Sequence, residues 1–313
     1  MAALKDVNIE LDEVEAKDLL KKYKHLLSTP NVVSLSYCSE KKEGRKTGRN
    51  VLRVGVIKKL PAEDIKDPDV LLPKAVEYET LNKKVSVPVQ VVEEGEICAL
   101  SPPYEGGSKV HATGAVGWDT LGVNTYYKGK HRLLNAAHVL TRFDPANIGR
   151  EINPQSHHLD PFQSMGITVE GQVDVELYDS PNVQNPVCAK QDLAWATITS
   201  QQGLPEIVSA DPINDIRDPI KDELVQYYSA SSQKLQSNIP VADTATMAKV
   251  RIKVGNSSYK YAYFEDICCL DISQACPMPG DSGSAMIAQS DKRIVGILFS
   301  GGLLSAYFCR LTF

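Results

Sequence analysis

The sequence predicts a mainly β protein that begins with a small α+β domain. Short apolar runs, separated by polar segments with glycine, proline and asparagine, recur throughout residues 105–313, and this pattern is typical of β-strands. In residues 1–95, by contrast, an amphipathic helical pattern precedes segments that alternate like strands. A length of 313 residues is enough for two ordinary domains, so we expect domains at 1–95 and 105–313.

The N-terminal domain is predicted to combine one helix with a hairpin and a third strand. Apolar side chains recur at helical spacing over residues 9–27, and Thr29-Pro30-Asn31 follows as a stop signal. The other predicted elements are strands at 32–37, 51–59 and 85–92 and a turn at 41–50. Two roles fit this domain equally: packing that extends the core, or regulation and oligomerisation.

The rest of the chain is predicted to hold two groups of strands. The first group is predicted at 112–118, 132–139, 172–178 and 193–199. The second group is predicted at 248–254, 259–264 and 294–300. Polar segments at 142–165 and 200–247 are predicted to be long loops, and loops of that length are commonly functional.

The segment Pro279-Gly280-Asp281-Ser282-Gly283-Ser284 is the strongest indication of chemistry in the chain. A serine in a glycine-rich turn can expose its hydroxyl while successive backbone N–H groups of the same turn point at one spot. A nucleophile and an oxyanion hole can therefore come from one short segment. Because short runs of Gly, Asp and Ser are often plain turns, this segment needs support from elsewhere.

Two further segments supply residues that could activate such a serine. The run Leu133-Leu134-Asn135-Ala136-Ala137-His138 is typical of a buried strand that ends in a tight turn carrying a histidine. Asp192 precedes an apolar segment, and a buried carboxylate needs a partner such as a histidine N–H. Taken singly, each residue also fits a structural role, as a core histidine bonded to a carbonyl or as an aspartate at a strand start.

The order His138, Asp192, Ser282, with separations of 54 and 90 residues, resembles that of the trypsin-like, chymotrypsin-fold serine peptidases. The local motifs Ala-Ala-His, Asp-Leu-Ala and Gly-Asp-Ser-Gly are similar to those of the same family. The resemblance covers residues 105–313 and implies a two-barrel domain with its site in the cleft between the barrels. It also implies a serine endopeptidase that cleaves protein or peptide substrates through an acyl-enzyme.

The resemblance implies a catalytic role for each matching residue. Ser282 would attack the scissile carbonyl, His138 would act as general base and then general acid, and Asp192 would hold the imidazole. The backbone N–H groups of Gly280 and Ser282 would form the oxyanion hole. No cofactor and no metal ion takes part in this scheme.

Substrate-binding residues follow from the same resemblance. Cys276 would lie at the base of the specificity pocket, and Phe299, Ser300 and Gly301 would lie on the strand that pairs with the substrate backbone. Cys276 has no charge that would select an Arg or Lys of the substrate. We therefore expect an uncharged substrate residue before the cleaved bond.

Regulation inside the cell is expected for such an enzyme. The predicted hairpin is followed by Lys58-Lys59-Leu60-Pro61, and in this it resembles the segment ahead of the peptidase in some intracellular prokaryotic trypsin-like proteins and in the plant narrow-leaf proteins. In secreted relatives a newly released N-terminus pairs with the aspartate beside the serine, and no equivalent arrangement is evident around Asp281. We therefore expect gating by the N-terminal domain, by the long loops, or by an activating or inhibiting protein partner.

The alternative to an enzyme is a non-catalytic or conditionally active relative that acts as a partner-binding module.

Composition argues against several other classes of protein. The net charge of −5 and pI of about 5.7 argue against nucleic acid as a main partner. No run of about 18 apolar residues is present, so no membrane contact is expected. The seven cysteines have neither zinc-site spacing nor the density of a disulfide framework, and the N-terminus lacks an apolar signal segment. The expected location is the cytoplasm.

Overall fold

A computed structural model shows a mainly β chain, with two short helices among the residues it describes, and this confirms the predicted fold class. It describes residues 10–42, 45–61, 71–79, 84–99, 109–112, 119–120, 122–155, 167–198, 216–229, 231–232, 234–254, 258–272 and 277–311. The helices are α1 (Glu13–Lys22) and α2 (Ala137–Leu140), with 3-10 turns at Lys24–Ser28 and Pro145–Asn147. The strands are β1 (Val32–Lys42), β2 (Arg45–Val56), β3 (Ala75–Glu79), β4 (Lys84–Glu93), β5 (Cys98–Ala99), β6 (Lys109–Ala112), β7 (Asp119–Thr120), β8 (Val123–Tyr127), β9 (Lys130–Asn135), β10 (Glu151–Gln155), β11 (Ile167–Gln172), β12 (Cys188–Ala189), β13 (Ala194–Ile198), β14 (Leu224–Ser229), β15 (Lys234–Val254), β16 (Ser258–Asp271), β17 (Ala285–Ala288), β18 (Ile294–Gly301) and β19 (Ser305–Cys309).

Six strands of the C-terminal part close into a barrel. The pairs β14–β15, β15–β16, β16–β19, β19–β18, β18–β17 and β17–β14 form a complete ring, so each of these strands has a neighbour on both sides. One buried cluster of apolar side chains from these strands includes Tyr227, Leu298 and Phe308. The predicted loop at 200–247 is therefore wrong in its C-terminal half, where β14 and most of β15 lie.

The other sheet contains seven strands in the order β7-β6-β10-β11-β13-β9-β8. The predicted strand at 172–178 is wrong, because β11 ends at Gln172 and only Tyr178 forms an isolated bridge. The alternation there instead reflects Val173, Val175 and Leu177 packing against the core. The predicted loop at 142–165 includes β10, which pairs with β6 and β11.

Helix α1 is shorter than the helix predicted over residues 9–27. Asp12 caps its start by accepting a hydrogen bond from the Glu15 N–H at 2.9 Å, and the Glu15 carboxylate accepts one from the Asp12 N–H at 3.2 Å. The α-helix ends at Tyr23, and the apolar pattern continues in the 3-10 turn. Leu19 is buried as predicted, whereas Val14 is 76% exposed.

The predicted N-terminal hairpin is present and longer than expected. β1 and β2 stay paired out to Lys42 opposite Arg45, so most of the turn predicted at 41–50 is strand. The predicted third strand is β4, which runs parallel to β2 and also pairs with β3, a strand the sequence did not reveal. Because β1 pairs with β15 (Ser34 opposite Ala248), the hairpin and the barrel share one sheet. The division into domains at 1–95 and 105–313 stays a prediction.

Strand β5 follows the N-terminal strands in the chain and pairs with two strands of the barrel. It runs parallel to β15, with Cys98 opposite Arg251, and antiparallel to β18, with Ala99 opposite Ser300. The chain thus passes between two strands of the barrel soon after it leaves β4.

Candidate active site

Three side chains that the sequence analysis singled out form one hydrogen-bonded chain. His138 Nδ1 lies 2.5 Å from Asp192 Oδ2, and His138 Nε2 lies 2.9 Å from Ser282 Oγ. His138 lies on α2, Asp192 lies just before β13, and Ser282 lies in the turn before β17. The structure therefore brings together residues from both sheets of the molecule.

The pairing of β9 with β13 explains why the histidine and the aspartate meet. Asn135 lies opposite Ala194, so the residues just after β9 lie beside the residues just before β13. The backbone N–H of His138 also donates to Asp192 Oδ1 at 3.1 Å. Since the carboxylate bonds both the ring and the backbone of one residue, it fixes the imidazole and favours the tautomer with a proton on Nδ1.

The site is shielded from water. The exposed fractions are 4% for His138, 1% for Asp192 and 0% for Ser282. The Phe143 ring is tilted against the imidazole, with their centroids 6.2 Å apart. A buried carboxylate without a partner would be strongly unfavourable, and the same shielding strengthens each hydrogen bond that the three residues make.

The hydroxyl of Ser282 has two possible acceptors. Its oxygen lies 2.9 Å from His138 Nε2 and 3.1 Å from the carbonyl oxygen of Phe299. A hydroxyl carries one proton, so it donates to only one of them at a time. Donation to Nε2 is the arrangement from which the imidazole can remove the proton. If the hydroxyl donates to Phe299 instead, its contact with Nε2 is a hydrogen bond only when Nε2 carries a proton.

The turn that carries Ser282 has a glycine with positive φ on either side of the serine. Gly280 and Gly283 have φ values of 104° and 92°, a region that favours glycine. Within the described part of the chain, the N–H groups of Gly280 and Ser282 donate no hydrogen bond. Both residues are buried, so two N–H donors predicted to form an oxyanion hole are without a protein acceptor there.

Thr120 and Asn135 hold this turn from the seven-stranded sheet. The Thr120 N–H donates to the Ser282 carbonyl at 3.1 Å, and Thr120 Oγ1 donates to the Gly280 carbonyl at 2.7 Å. Asn135 Nδ2 donates to the Thr120 carbonyl at 3.0 Å. The sequence analysis assigned no role to Thr120 or Asn135. Asn135 could have been considered because it lies three residues before His138, whereas no local pattern marks Thr120.

Asp281 is buried and is satisfied by neutral donors. Its Oδ1 accepts from Ser229 Oγ at 2.8 Å and from both the N–H and the hydroxyl of Ser231, at 3.2 and 2.7 Å. Its Oδ2 accepts from the Met278 N–H at 2.9 Å. None of these partners among the described residues is a cation, so the carboxylate is held without a released N-terminal amine.

The predicted substrate-binding residues have different outcomes. Cys276 lies outside the described residues. The carbonyl of Phe299 contacts the serine hydroxyl, and its ring packs on Phe264 with centroids 4.9 Å apart. Ser300 and Gly301 lie on β18 and pair with β19 on one edge and with β5 on the other. Their roles in binding substrate stay predictions.

Two further expectations concern metal ions and membranes. Within the described ranges, no group of three or more His, Cys, Asp and Glu side chains is arranged to hold a metal ion. In the same part of the chain, no helix has both the length and the apolar character needed to cross a membrane.

Several solved structures resemble this chain at low sequence identity. The murine norovirus NS6 protease is 13% identical with a TM-score of 0.33, over 66% of this chain and 95% of its own. The tobacco vein mottling virus protease is 11% identical with a TM-score of 0.31, over 65% of this chain and 75% of its own. Kallikrein-related peptidase 10 is 13% identical with a TM-score of 0.31, over 67% of this chain and 93% of its own. No protein-family model and no curated protein matches the chain.

Proposed function

We propose that this protein is a serine endopeptidase. The observation that carries the proposal is the continuous hydrogen-bonded chain from Asp192 through His138 to Ser282, with distances of 2.5 and 2.9 Å. A serine hydroxyl is a weak nucleophile unless a base is placed to accept its proton and a third group orients that base. His138 and Asp192 are buried side chains from separate segments that are placed for these two roles, which supports the proposal.

In the proposed reaction, Ser282 Oγ attacks the carbonyl carbon of a peptide bond while His138 Nε2 takes the hydroxyl proton. The carbonyl oxygen becomes an oxyanion, which the N–H groups of Gly280 and Ser282 stabilise. His138 then gives its proton to the leaving amine, and the C–N bond breaks to leave an acyl-enzyme. Asp192 stabilises the imidazolium that exists between these steps. Water attacks the acyl-enzyme in the same way and releases the acid product.

Labelling with a fluorophosphonate tests the proposal, because the reagent bonds to an activated serine oxygen. We expect one adduct per chain on Ser282 in the wild type and none in Ser282→Ala. Ser284→Ala is the matched control, since Ser284 lies in the same turn and donates to the Tyr228 carbonyl at 2.9 Å instead of contacting the imidazole. Equal labelling of wild type and Ser282→Ala would contradict the proposal.

A second candidate is a conditionally active or non-catalytic protein that uses the cleft to bind a partner. The complete burial of Ser282 favours it, because a large substrate cannot reach a nucleophile with 0% exposure. Labelling that occurs only after a protein partner is added would support conditional activity. A wild type that never labels, alone or with cell lysate, would support the non-catalytic form.

A further inference from the structure

Two of the three strand residues predicted to bind substrate, Ser300 and Gly301, already pair with the protein's own chain on both edges. On one edge of β18, Ser300 and Gly301 pair with β19. A strand has only two edges, so the antiparallel pairing of Ser300 with Ala99 and of Gly301 with Cys98 occupies the other edge. Strand β5 therefore fills the position that an added peptide strand would take.

The occupied edge lies next to the proposed nucleophile. Phe299 directly precedes the paired residues, and its carbonyl oxygen lies 3.1 Å from Ser282 Oγ. An extended peptide that adds to this edge would need the main-chain N–H and C=O groups that now face β5. The same groups cannot pair with two strands at once.

We propose that β5 is a built-in competitor of the peptide substrate and that the structure represents a self-inhibited state. This inference rests on the proposed peptidase function, because the edge matters only if a peptide must bind there. A substrate has to displace Cys98–Ala99 before it can pair with Ser300 and Gly301. The burial of Ser282 is consistent with a cleft that is closed in this state.

Glu94 anchors the segment that leads into β5. Its carboxylate is 2% exposed and pairs with Arg53 at 2.8 Å. It also accepts hydrogen bonds from Ser34 Oγ at 2.6 Å, from Tyr307 OH at 3.0 Å and from Ser305 Oγ at 3.2 Å. Because Ser34 and Arg53 belong to the N-terminal hairpin and the other two partners belong to β19, the hairpin and the barrel jointly hold β5 in place.

The main chain from this anchor to β5 is held as well. The Glu94 carbonyl accepts from the Leu303 N–H at 3.0 Å, and the Ile97 carbonyl accepts from the Arg251 N–H at 2.8 Å. Ile97 itself is 1% exposed and lies in the same buried cluster as Phe299. The N-terminal hairpin would therefore be regulatory: β5 would be released when Ser34 and Arg53 lose their contacts with Glu94.

A reversible cross-link provides the first test. Gly301→Cys places a thiol opposite the native Cys98, and paired Cα atoms in antiparallel strands are about 4.5–5.5 Å apart, within reach of a disulfide. The variant would be oxidised with diamide, and the cross-link would be measured by mass spectrometry. The matched control combines Gly301→Cys with Cys98→Ser and cannot form it. Failure of the cross-link to form would overturn the proposal, because β5 would not occupy that edge in solution.

The cross-linked protein should lose activity toward peptides reversibly. We expect at least tenfold slower cleavage of a peptide library in the oxidised variant than in the same variant after reduction, with no such change in the control. Equal cleavage by the oxidised and reduced forms would show that substrate does not need the edge held by β5, and would also overturn the proposal.

Loosening the anchor gives the opposite change and does not alter the substrate edge. Glu94→Gln removes the charge that pairs with Arg53 and should raise peptide cleavage at least tenfold. Glu96→Gln is the control. Glu96 lies on the same segment as Glu94, but it is only partly buried and pairs with Arg251 at 2.8 Å. Circular dichroism would establish that both variants are folded. If the folded Glu94→Gln variant cleaves no faster than Glu96→Gln, β5 is not inhibitory.

Fluorophosphonate labelling separates this inference from the function on which it rests. The reagent needs a reactive serine and does not pair with a strand. If Ser282 labels but neither the cross-link nor Glu94→Gln changes peptide cleavage, only the inhibitory role of β5 fails. If Ser282 does not label in any variant, including Glu94→Gln, the peptidase proposal fails and this inference fails with it.

Discussion

Thr120 binds the carbonyl oxygen of Ser282 through its backbone N–H, at a distance of 3.1 Å, and so ties the nucleophile turn to the opposite sheet. Its hydroxyl makes a second contact, 2.7 Å from the Gly280 carbonyl. The two fixed carbonyls belong to the peptide units 280–281 and 282–283, which lie on either side of the unit that carries the Ser282 N–H. The two contacts therefore restrain the turn whose N–H groups we propose as the oxyanion hole.

Thr120→Val should weaken catalysis more than it weakens folding. Valine has nearly the same shape and keeps the backbone contact, but the Gly280 carbonyl loses its hydroxyl partner. We expect roughly tenfold slower fluorophosphonate labelling of Ser282 and a loss of about 1 kcal/mol in the free energy of unfolding. Thr120→Ser keeps the hydroxyl and should label at nearly the wild-type rate. Equal rates for the valine and serine variants would mean that this hydrogen bond does not position the turn.

Asp281 should be held in place by serine hydroxyls and not by a released amine. Replacing both Ser229 and Ser231 with alanine removes two hydroxyl donors from a buried carboxylate, and we expect a loss of about 2–4 kcal/mol in unfolding free energy. Ser232→Ala is the control, because the Ser232 side chain does not bond to Asp281 among the described contacts. Denaturant unfolding of the three proteins checks this.

A related expectation concerns proteolytic activation. Since the described partners of Asp281 are neutral, a labelled molecule should have the intact mass of the full chain plus one adduct. Mass spectrometry of the labelled protein measures this directly. Labelling confined to molecules that have lost an N-terminal segment would show that a cut is needed after all.

The residues of the candidate site could be predicted because each lies in a short, recognisable segment. His138, Asp192 and Ser282 are joined in the structure by the contacts that the proposed chemistry requires. Thr120 could not be found in this way, since its role depends on two sheets meeting and no local pattern marks it. The hydroxyl partners of Asp281 were missed for the same reason.

The fold class was also predictable, but the ends of the strands were not. A continuous apolar run indicated β18, which is buried on both faces from Ile294 to Ser300. The C-terminal end of β1 and the N-terminal end of β2 are polar and at least partly exposed, yet they pair with each other. Because neither end is buried, no alternation of apolar residues predicts that the strands extend so far. A two-residue strand such as β5 exists only because β15 and β18 offer it partners, so sequence alone could not predict its place.

Gly283→Ala should destabilise the protein through both strain and overlap. The φ of 92° is unfavourable for alanine, and a Cβ there would overlap Asn135 Oδ1 and lie 2.6 Å from the Thr120 carbonyl oxygen. We expect a loss of about 2–5 kcal/mol in unfolding free energy and little labelling of Ser282. Gly129→Ala is the matched control, because its φ of 79° is similar and no atom lies within 4 Å of the new Cβ. If the two variants are equally stable, close packing against Asn135 is not important.

Asp243 should make the protein less stable as the pH rises through the weakly acidic range. Burial raises the pKa of this carboxyl to about 7 although Lys221 and Arg53 lower it, and its Oδ2 has no partner among the described residues. Below the usual pKa of 3.8 the group is protonated in both states and has no effect on the pH dependence. Between there and about pH 7 the folded state binds more protons than the unfolded state, so stability falls as pH rises.

Asp243→Asn tests this pH dependence, because the amide has a similar shape and does not ionise. The free energy of unfolding, measured from pH 4.5 to 8 by urea denaturation, should fall for the wild type relative to the variant by up to about 3 kcal/mol. Taking the difference between the two proteins removes the contribution of every other titrating group that the substitution leaves unchanged. A difference that stays constant across this range would show that Asp243 ionises in the folded protein as it does in water.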